Sequence, residues 1–510
     1  MSTANRVIKN TGYLYAKMGI TMFVSLYTTR LILNSLGASD FGIFNIVGGA
    51  IAMLGFLNAA MASATQRFMS YAEGEGIKSK QKSIFNVSFV LHILISLLVG
   101  IALLIAGYFF FNGILNIPPD RIFAAQVVYG SLIISTMFTV MTVPYDAVMN
   151  AHENMLYYAI VGIIESFLKL AVAFACVYTT SDKLIVYGIL MACIPLITLT
   201  IMRVYCHKHY EECIIAPKRY FDKGLMKEMT SFAGWNFFQS FAAIVTNYGT
   251  AIVINMFFGT IVNAAQGVAN QICGQLMALT TTMTKAINPV IVKTAGEKNN
   301  EKVISYALSS SKATHFVTSL LALPAIITMP ELLQIWLKEV PQYAVFFAQC
   351  QLIIALCEQS TQGLNSAIIA SGKIKGYSIT KSITKFLYLP ISYILFKCDI
   401  SIIIVYFILV FIQGIINGII IPLMYISNIY HFPLRQYLKH SFSKLLIITF
   451  SILILGEFMN LYLQSQWAFI FIFPTCMIVH ILLSYTLLLD KKEKETISKV
   501  AFQLKHFIKK

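Results

Sequence analysis

The apolar stretch SLYTTRLILNSLGASDFGIF, residues 25–44, carries a permanently charged guanidinium at Arg30. Other apolar runs contain or border Lys17, Lys169, Arg203, Lys285, Lys312, Lys381, Lys385 and Lys397, set against Asp146, Glu165 and Glu358 as anions. Ionisable groups in such runs are costly to keep and are functional candidates by default. The cationic excess suits an anionic ligand, and the planar fork of Arg30 can hold phosphate oxygens at two points. Arg30 also has a structural reading. It stands roughly 9 Å of helix from a turn at Gly37, near enough to snorkel to the interface or to pair with Asp40.

Hydrogen-bonding residues recur at helical spacing. Lys17, Thr21, Ser25 and Thr28 share one face; Arg30 lies about 220° around the helix from Lys17 and cannot join them. Gln239, Ala243, Asn247 and Thr250 form a second such stripe, and Asn263, Gln266 and Asn270 follow at i, i+3 and i+7. Such stripes make either the wall of a polar cavity, suited to sugar hydroxyls, or a polar seam between packed helices. Glu358 lies in CEQSTQGLNS, a polar patch within an apolar run. It is the candidate for a protonatable, ion-coupling group, the alternative being a neutral, hydrogen-bonded structural carboxyl. Glu165 and Lys169, four apart, are expected to neutralise each other. Lys381 and Lys385 begin their run and are expected to snorkel. CHKHYEEC, residues 206–213, has metal-ligand residue types but not the spacing of a zinc finger or of H-E-x-x-H.

Fourteen apolar runs must position these groups, starting near Tyr13, Phe41, Ile84, Phe123, Leu156, Leu184, Ser231, Ile261, Val303, Ala344, Ser378, Ile402, Leu445 and Trp467. Each approaches the ~20 residues a helix needs to cross the hydrocarbon. With 57% hydrophobic and 12% charged residues among 510, no soluble globule could bury the apolar surface. The net charge of +16 does not point to nucleic acid. If the N-terminus is cytoplasmic, almost all loop Lys and Arg fall on the inner side, and the outer loops hold only Arg121, Lys183 and Lys338. The positive-inside rule then puts both termini in the cytoplasm. The basic tail, 490–510, is expected along the anionic inner surface. No signal peptide is visible, and the nine cysteines form no disulfide framework. No P-loop, GxGxxG or G-x-S-x-G occurs, so an enzyme is not expected. No cofactor is expected either, and proton or Na+ coupling is left open.

Shifted by 222 residues, the sequence meets itself: Gly12 on Gly234, Gly37 on Gly259, Gly74 on Gly296 and Glu75 on Glu297. Later runs match with a slip of up to three residues, Ala151 falling on Ala370. The expected fold is an all-α polytopic membrane protein of about 14 transmembrane helices. Two parallel six-helix bundles, 1–206 and 229–428, would be related by a pseudo-twofold and joined by a basic cytoplasmic linker, 207–228. Two additional helices, 429–489, precede the tail. Parallel repeats place a substrate site near their interface.

The stretch LGASDFGIFNIVGGAIAMLGFLNAAMASATQRFMSYAEGEG, with its short outer turn and glycine-bearing second run, resembles the bacterial O-antigen and capsule repeat-unit flippases. These belong to the multidrug/oligosaccharidyl-lipid/polysaccharide exporter superfamily. The resemblance implies alternating-access export of an undecaprenyl-pyrophosphate-linked oligosaccharide to the outer leaflet of the bacterial inner membrane. Membrane lipids, a polysaccharide polymerase and chain-length machinery would then be partners. A cation-coupled multidrug exporter of the same superfamily is the alternative, though the resemblance would then imply carboxylates in the first or seventh span. A lipid II flippase is a closer competitor. A membrane glycosyltransferase or polymerase is more distant, because the outer loops are short.

Overall fold

The computed structural model describes residues 3–52, 55–114, 117–337, 339–463, 467–490 and 493–495. Among the described residues there are helices and no strands. In chain order they are α1 (Thr3–Ala52), α2 (Gly55–Glu75), α3 (Lys78–Phe109), α4 (Ile122–Ala151), α5 (Met155–Tyr178) and α6 (Lys183–His209). Next come α7 (Pro217–Tyr220), α8 (Lys223–Gly296), α9 (Asn300–Ile327), α10 (Met329–Trp336), α11 (Ala344–Ser360), α12 (Gln362–Ser371) and α13 (Lys375–Lys397). Then α14 (Ile402–Leu409) runs through a π-helical segment, Val410–Ile420, into α15 (Ile421–Tyr430). The last are α16 (Leu434–Tyr437), α17 (Ser443–Leu463) and α18 (Ala468–Leu483).

The internal repeat is visible in the backbone. Helices α3 and α9 begin 222 residues apart, as do α4 and α11, whereas α6 and α14 begin 219 apart. Gly37 and Gly259 leave helical geometry in the same way, with φ/ψ of 79°/168° and 76°/−171°. That region is open essentially to glycine alone, so each fixes a turn inside what is otherwise one long helix. Two more pairs follow the same offsets: Gly76 with Lys298 (φ 73° and 58°), and Glu153 with Gly372 (φ 55° and 76°).

Among the described residues, eight helices are long and apolar enough to cross a membrane, or up to ten if each of two bent pairs is one span. Fourteen were expected from sequence. Part of the difference is α8, a single 74-residue segment about 110 Å long if straight, which Gly259 divides. The rest is α1, whose two arms about Gly37 form one bent pair, α11, apolar but only 17 residues long, and α13, with Lys381 and Lys385 inside its run.

The chain divides into two compact units. The first is Asn10–Phe237; the second is Phe238–Lys510 with Met1–Lys9. In the first unit, Ile43, Val47, Val99, Leu103, Val128 and Tyr129 form one apolar core, and Ile32, Ala173, Cys176 and Ile194 another. The loops at Glu73, Lys78, His152 and Glu212 are tied by polar contacts. His152 bonds the buried Glu212 through Nε2 and lies 3.5 Å from Glu73 through Nδ1, while Lys78 sits 3.8 Å from Glu212 and 3.9 Å from Glu73. Burial pushes the Glu212 carboxyl up, but the His152 hydrogen bond and the nearby positive charge hold it below its ordinary value. CHKHYEEC thus supplies a structural fastening here.

The second unit has a core that includes Ile254, Phe347, Tyr388 and Tyr406 together with Ile452 of α17 and Ile472 of α18. The two appended helices are therefore built into it. Lys312 of α9 reaches Asp490 at 3.1 Å and Glu493 at 3.3 Å, which anchors the root of the tail. The rest of the basic tail, 491–492 and 496–510, lies outside the described residues.

Candidate functional site

A cavity of about 190 Å³ lies within the second unit. Helix α8 lines it twice, with Ala243, Thr246, Asn247 and Thr250 before the Gly259 turn and Gln266 after it. Gln351, Ile354 and Glu358 come from α11, Lys385 from α13, Leu409 from α14 and Gln413 from the π-helical segment. Helical periodicity explains the selection, since residues 243, 246, 247 and 250 share one face of α8, and 351, 354 and 358 one face of α11.

Three local devices hold these side chains. First, α11 stops at Ser360, and Thr361 departs from helical geometry (φ −120°, ψ 7°) before α12 resumes. The break comes three residues after Glu358, and its loosened carbonyls are bonded from other helices: Thr314 donates to Gln359 O at 3.0 Å and Tyr437 to Ser360 O at 3.1 Å. Second, the wider π turn presents Gln413 to the cavity, a geometry that recurs at functional sites. Gly414 and Gly418 let this segment lie against α11; a Cβ at Gly418 would sit 3.1 Å from the Glu358 backbone nitrogen. Third, Gln266 is fixed from both sides, accepting from the Tyr406 hydroxyl and donating to Asn270 at 2.9 Å.

Two features suggest a polar ligand. Thr246 and Thr250 donate back to the carbonyls four residues earlier, each at 2.7 Å, leaving their oxygens as acceptors. Gln413 is 7% exposed, and its amide nitrogen finds no partner among the described residues. A buried donor left unmade costs ~1–3 kcal/mol, which a bound hydroxyl, anion or water would recover.

Of the residues singled out from sequence, Asn247, Thr250, Gln266 and Glu358 meet in this cavity. Gln239 lies elsewhere, donating to Ser378 at 2.9 Å and so joining α8 to α13. Asn263 is half-buried and not in the lining, and Asn270 is exposed and serves Gln266. In the first unit, Lys17 lies 4.3 Å from the Tyr158 ring centroid with its chain packed on Gly162. Thr21 bonds back to Met18 O at 3.1 Å, and Ser25 and Arg30 are exposed. Glu165 and Lys169 pair at 2.7 Å.

Two readings are corrected. Asp40 is not the partner of Arg30: it takes both a 2.9 Å bond from Arg121 Nε and a 2.6 Å bond from Nη2. The Gly37 turn redirects the chain, bringing Asp40 to the loops at Arg121 and Asp182. Lys385 does not merely snorkel. Ten residues into α13 it stands ~15 Å from the helix start and reaches the cavity. Gln351 and Gln413 were also missed. The seven-residue step from Gln351 to Glu358 was a readable signal, but the π turn at Gln413 had none.

The chain resembles solved transporters over most of its length. A MATE transporter in its bent conformation matches with a TM-score of 0.72 at 13% identity, covering 84% of this chain and 96% of that one. The fold is that of the MATE transporters. A MOP superfamily transporter from Pyrococcus furiosus, described as having a binding pocket of reverse polarity that suggests a different function, matches with TM-score 0.66 at 13% identity, covering 84% and 97%. The Vibrio cholerae MATE transporter VcmN in its bent form gives 0.65 at 16% identity, again with 84% and 97% coverage. No family model matches the sequence, and no curated protein does.

Proposed function

We propose that the chain is an alternating-access exporter carrying a lipid-linked (undecaprenyl-pyrophosphate) oligosaccharide to the outer leaflet of a bacterial inner membrane, for surface polysaccharide synthesis. The composition of the cavity carries this reading. Amides and hydroxyls dominate its wall, and among the described residues no aromatic ring lines it and one carboxylate, Glu358, shares the space with the Lys385 ammonium. Sugar hydroxyls need such donors and acceptors, whereas an organic cation is better held by carboxylates and π faces. Lys17 or Arg30, which stand on different faces of α1, is the proposed phosphate ligand of the first unit, and Glu358 the proposed proton-coupling group. Both termini would be cytoplasmic, and a polymerase and chain-length proteins would use the product.

The multidrug-exporter reading has its own support, because the solved neighbours named above are MATE proteins, one from Pyrococcus furiosus excepted in its stated function. Cells that depend on this protein separate the two. With Glu358→Gln, export should lose its gradient dependence and lipid-linked repeat units should build up on the inner leaflet. Unchanged repeat-unit levels, with newly acquired sensitivity to cationic dyes, would replace the flippase reading by the drug-exporter one.

A further inference from the structure

Glu358 and Lys385 face one cavity from different helices, and among the described residues neither has a direct ion pair. The other titratable groups near Glu358 are Cys273 of α8, Cys357 of its own helix, and Tyr377 and Lys381 of α13. Lys381 is engaged with the Tyr377 hydroxyl at 3.1 Å, and Lys385 is the cation that lines the cavity. Its position is imposed by backbone packing. Gly249 on α8 has no side chain where Leu389, one turn beyond Lys385, fills the space; a Cβ there would fall 2.7 Å from a Leu389 methyl. This close approach of α8 and α13 directs Lys385 toward the Thr246–Asn247–Thr250 face.

Without Lys385, one carboxylate surrounded by amide and hydroxyl oxygens would be an attractive place for a small monovalent cation. A fixed ammonium in the same low-dielectric space opposes a second positive charge and offsets that of the carboxylate. We propose that Lys385 is the built-in counter-cation of Glu358, occupying electrostatically the role a sodium ion would otherwise take, so that Glu358 exchanges protons and Lys385 sets that ion specificity. Nothing is consumed in the exchange: a carboxylate gains one proton on one side of the membrane and releases it on the other. The inference rests on the reading of Glu358 as the coupling group.

The test is thermal unfolding of the purified full-length protein, with NaCl replaced by KCl at constant pH and ionic strength. The wild type and Lys385→Arg should melt at the same temperature in both salts. Lys385→Met should gain a sodium-specific rise of about 2 °C or more, and Lys385→Met combined with Glu358→Gln should lose it. Lys385→Gln serves if the Met variant does not fold. A sodium-specific rise in the wild type, or none in either neutral variant, overturns the proposal. Because binding is read without substrate, such a failure leaves the exporter reading standing, whereas gradient-dependent export by Glu358→Gln would sink the coupling reading itself.

Discussion

The two units share a helix plan and differ in where they place their charges. Arg121 immediately precedes α4 and Tyr343 immediately precedes α11, the same position in the repeat; Asp182 and Ser401 likewise precede α6 and α14. In the first unit Arg121 grips Asp40 and Asp182 with bonds as short as 2.6 Å, joining three loop tips. In the second, Tyr343 stacks on Phe347 at 5.9 Å, and Ser401 accepts from Ile403 N at 3.4 Å to cap its own helix. Further in, the contrast reverses. Helix α4 runs unbroken from Ile122 to Ala151, while its counterpart is interrupted after Glu358. The first repeat thus joins these loop tips by charge where the second does not, and the second places an acid and an ammonium in a cavity beside a broken helix, where ion and substrate sites of transporters are commonly built.

Breaking the interrupted helix should have the largest effect. A Cβ on Gly363 would lie 2.0 Å from Ala307 O and 2.8 Å from Ser311 N, both backbone atoms that cannot step aside. Gly363→Ala is expected to lose ~3 kcal/mol, the upper range for overpacking, seen as a sharp fall in melting temperature or folded yield. A variant as stable as the wild type would mean that α9 and α12 do not pack this closely.

Arg121→Ala comes next. It strands Asp40 and Asp182, which are 18% and 32% exposed, so the expected loss is ~1–2 kcal/mol rather than that of a deeply buried pair. The pH response sharpens the comparison. The Arg121 hydrogen bond, with backbone bonds from Ile185 and Leu184, outweighs burial and holds the Asp182 carboxyl below its ordinary value. Its stabilisation is therefore complete above the unfolded pKa, near 4, and lost as pH falls through the lower folded value. Arg121→Ala should flatten this acid-side loss, whereas Tyr343→Ala in the second unit should leave it unchanged. Parallel acid profiles for wild type and Arg121→Ala would exclude the clamp as a source of stability.

Glu212 behaves in the same sense in the loop after α6. Its folded pKa is also depressed, so its contribution is present above ~4.5 and disappears on acidification. Glu212→Gln should cost ~1 kcal/mol near neutral pH and reduce the acid sensitivity of unfolding; an unaltered profile would remove the His152 fastening from the account.

The smallest effect is expected at Gly162, where the atoms nearest an added Cβ belong to the flexible end of Lys17, its Cε at 2.1 Å. Gly162→Ala should change stability by under ~1 kcal/mol yet displace the ammonium from Tyr158. If Lys17 receives phosphate, export should fall while melting stays constant; equal export would argue that Lys17 is a packing residue.

How much of this was legible in sequence depends on how local the determinants are. Gly37 and Gly259 announced their turns because few other residues can adopt that backbone, and the 222-residue repeat was readable from them. The Glu165–Lys169 pair and the polar face of α8 follow from helical spacing alone. Arg121 could not be assigned to Asp40 and Asp182, since the three meet only when separate loops converge. Nor could Gln413, whose aim depends on a π turn, or Lys385, whose direction depends on Gly249 admitting Leu389.

The central claim is that the cavity beside the broken helix handles a hydroxyl-rich, lipid-linked substrate. It is tested most directly by following a fluorescent undecaprenyl-pyrophosphate-linked oligosaccharide across vesicles containing the purified protein under a proton gradient. Wild type should move it between leaflets, and Gln413→Leu, which removes the unpartnered amide while keeping the bulk, should slow movement about tenfold, the loss of one buried hydrogen bond in transit, without a lower melting temperature. Equal rates for Gln413→Leu and wild type, or no movement of this lipid by a folded wild-type protein that expels cationic dyes, would contradict the account.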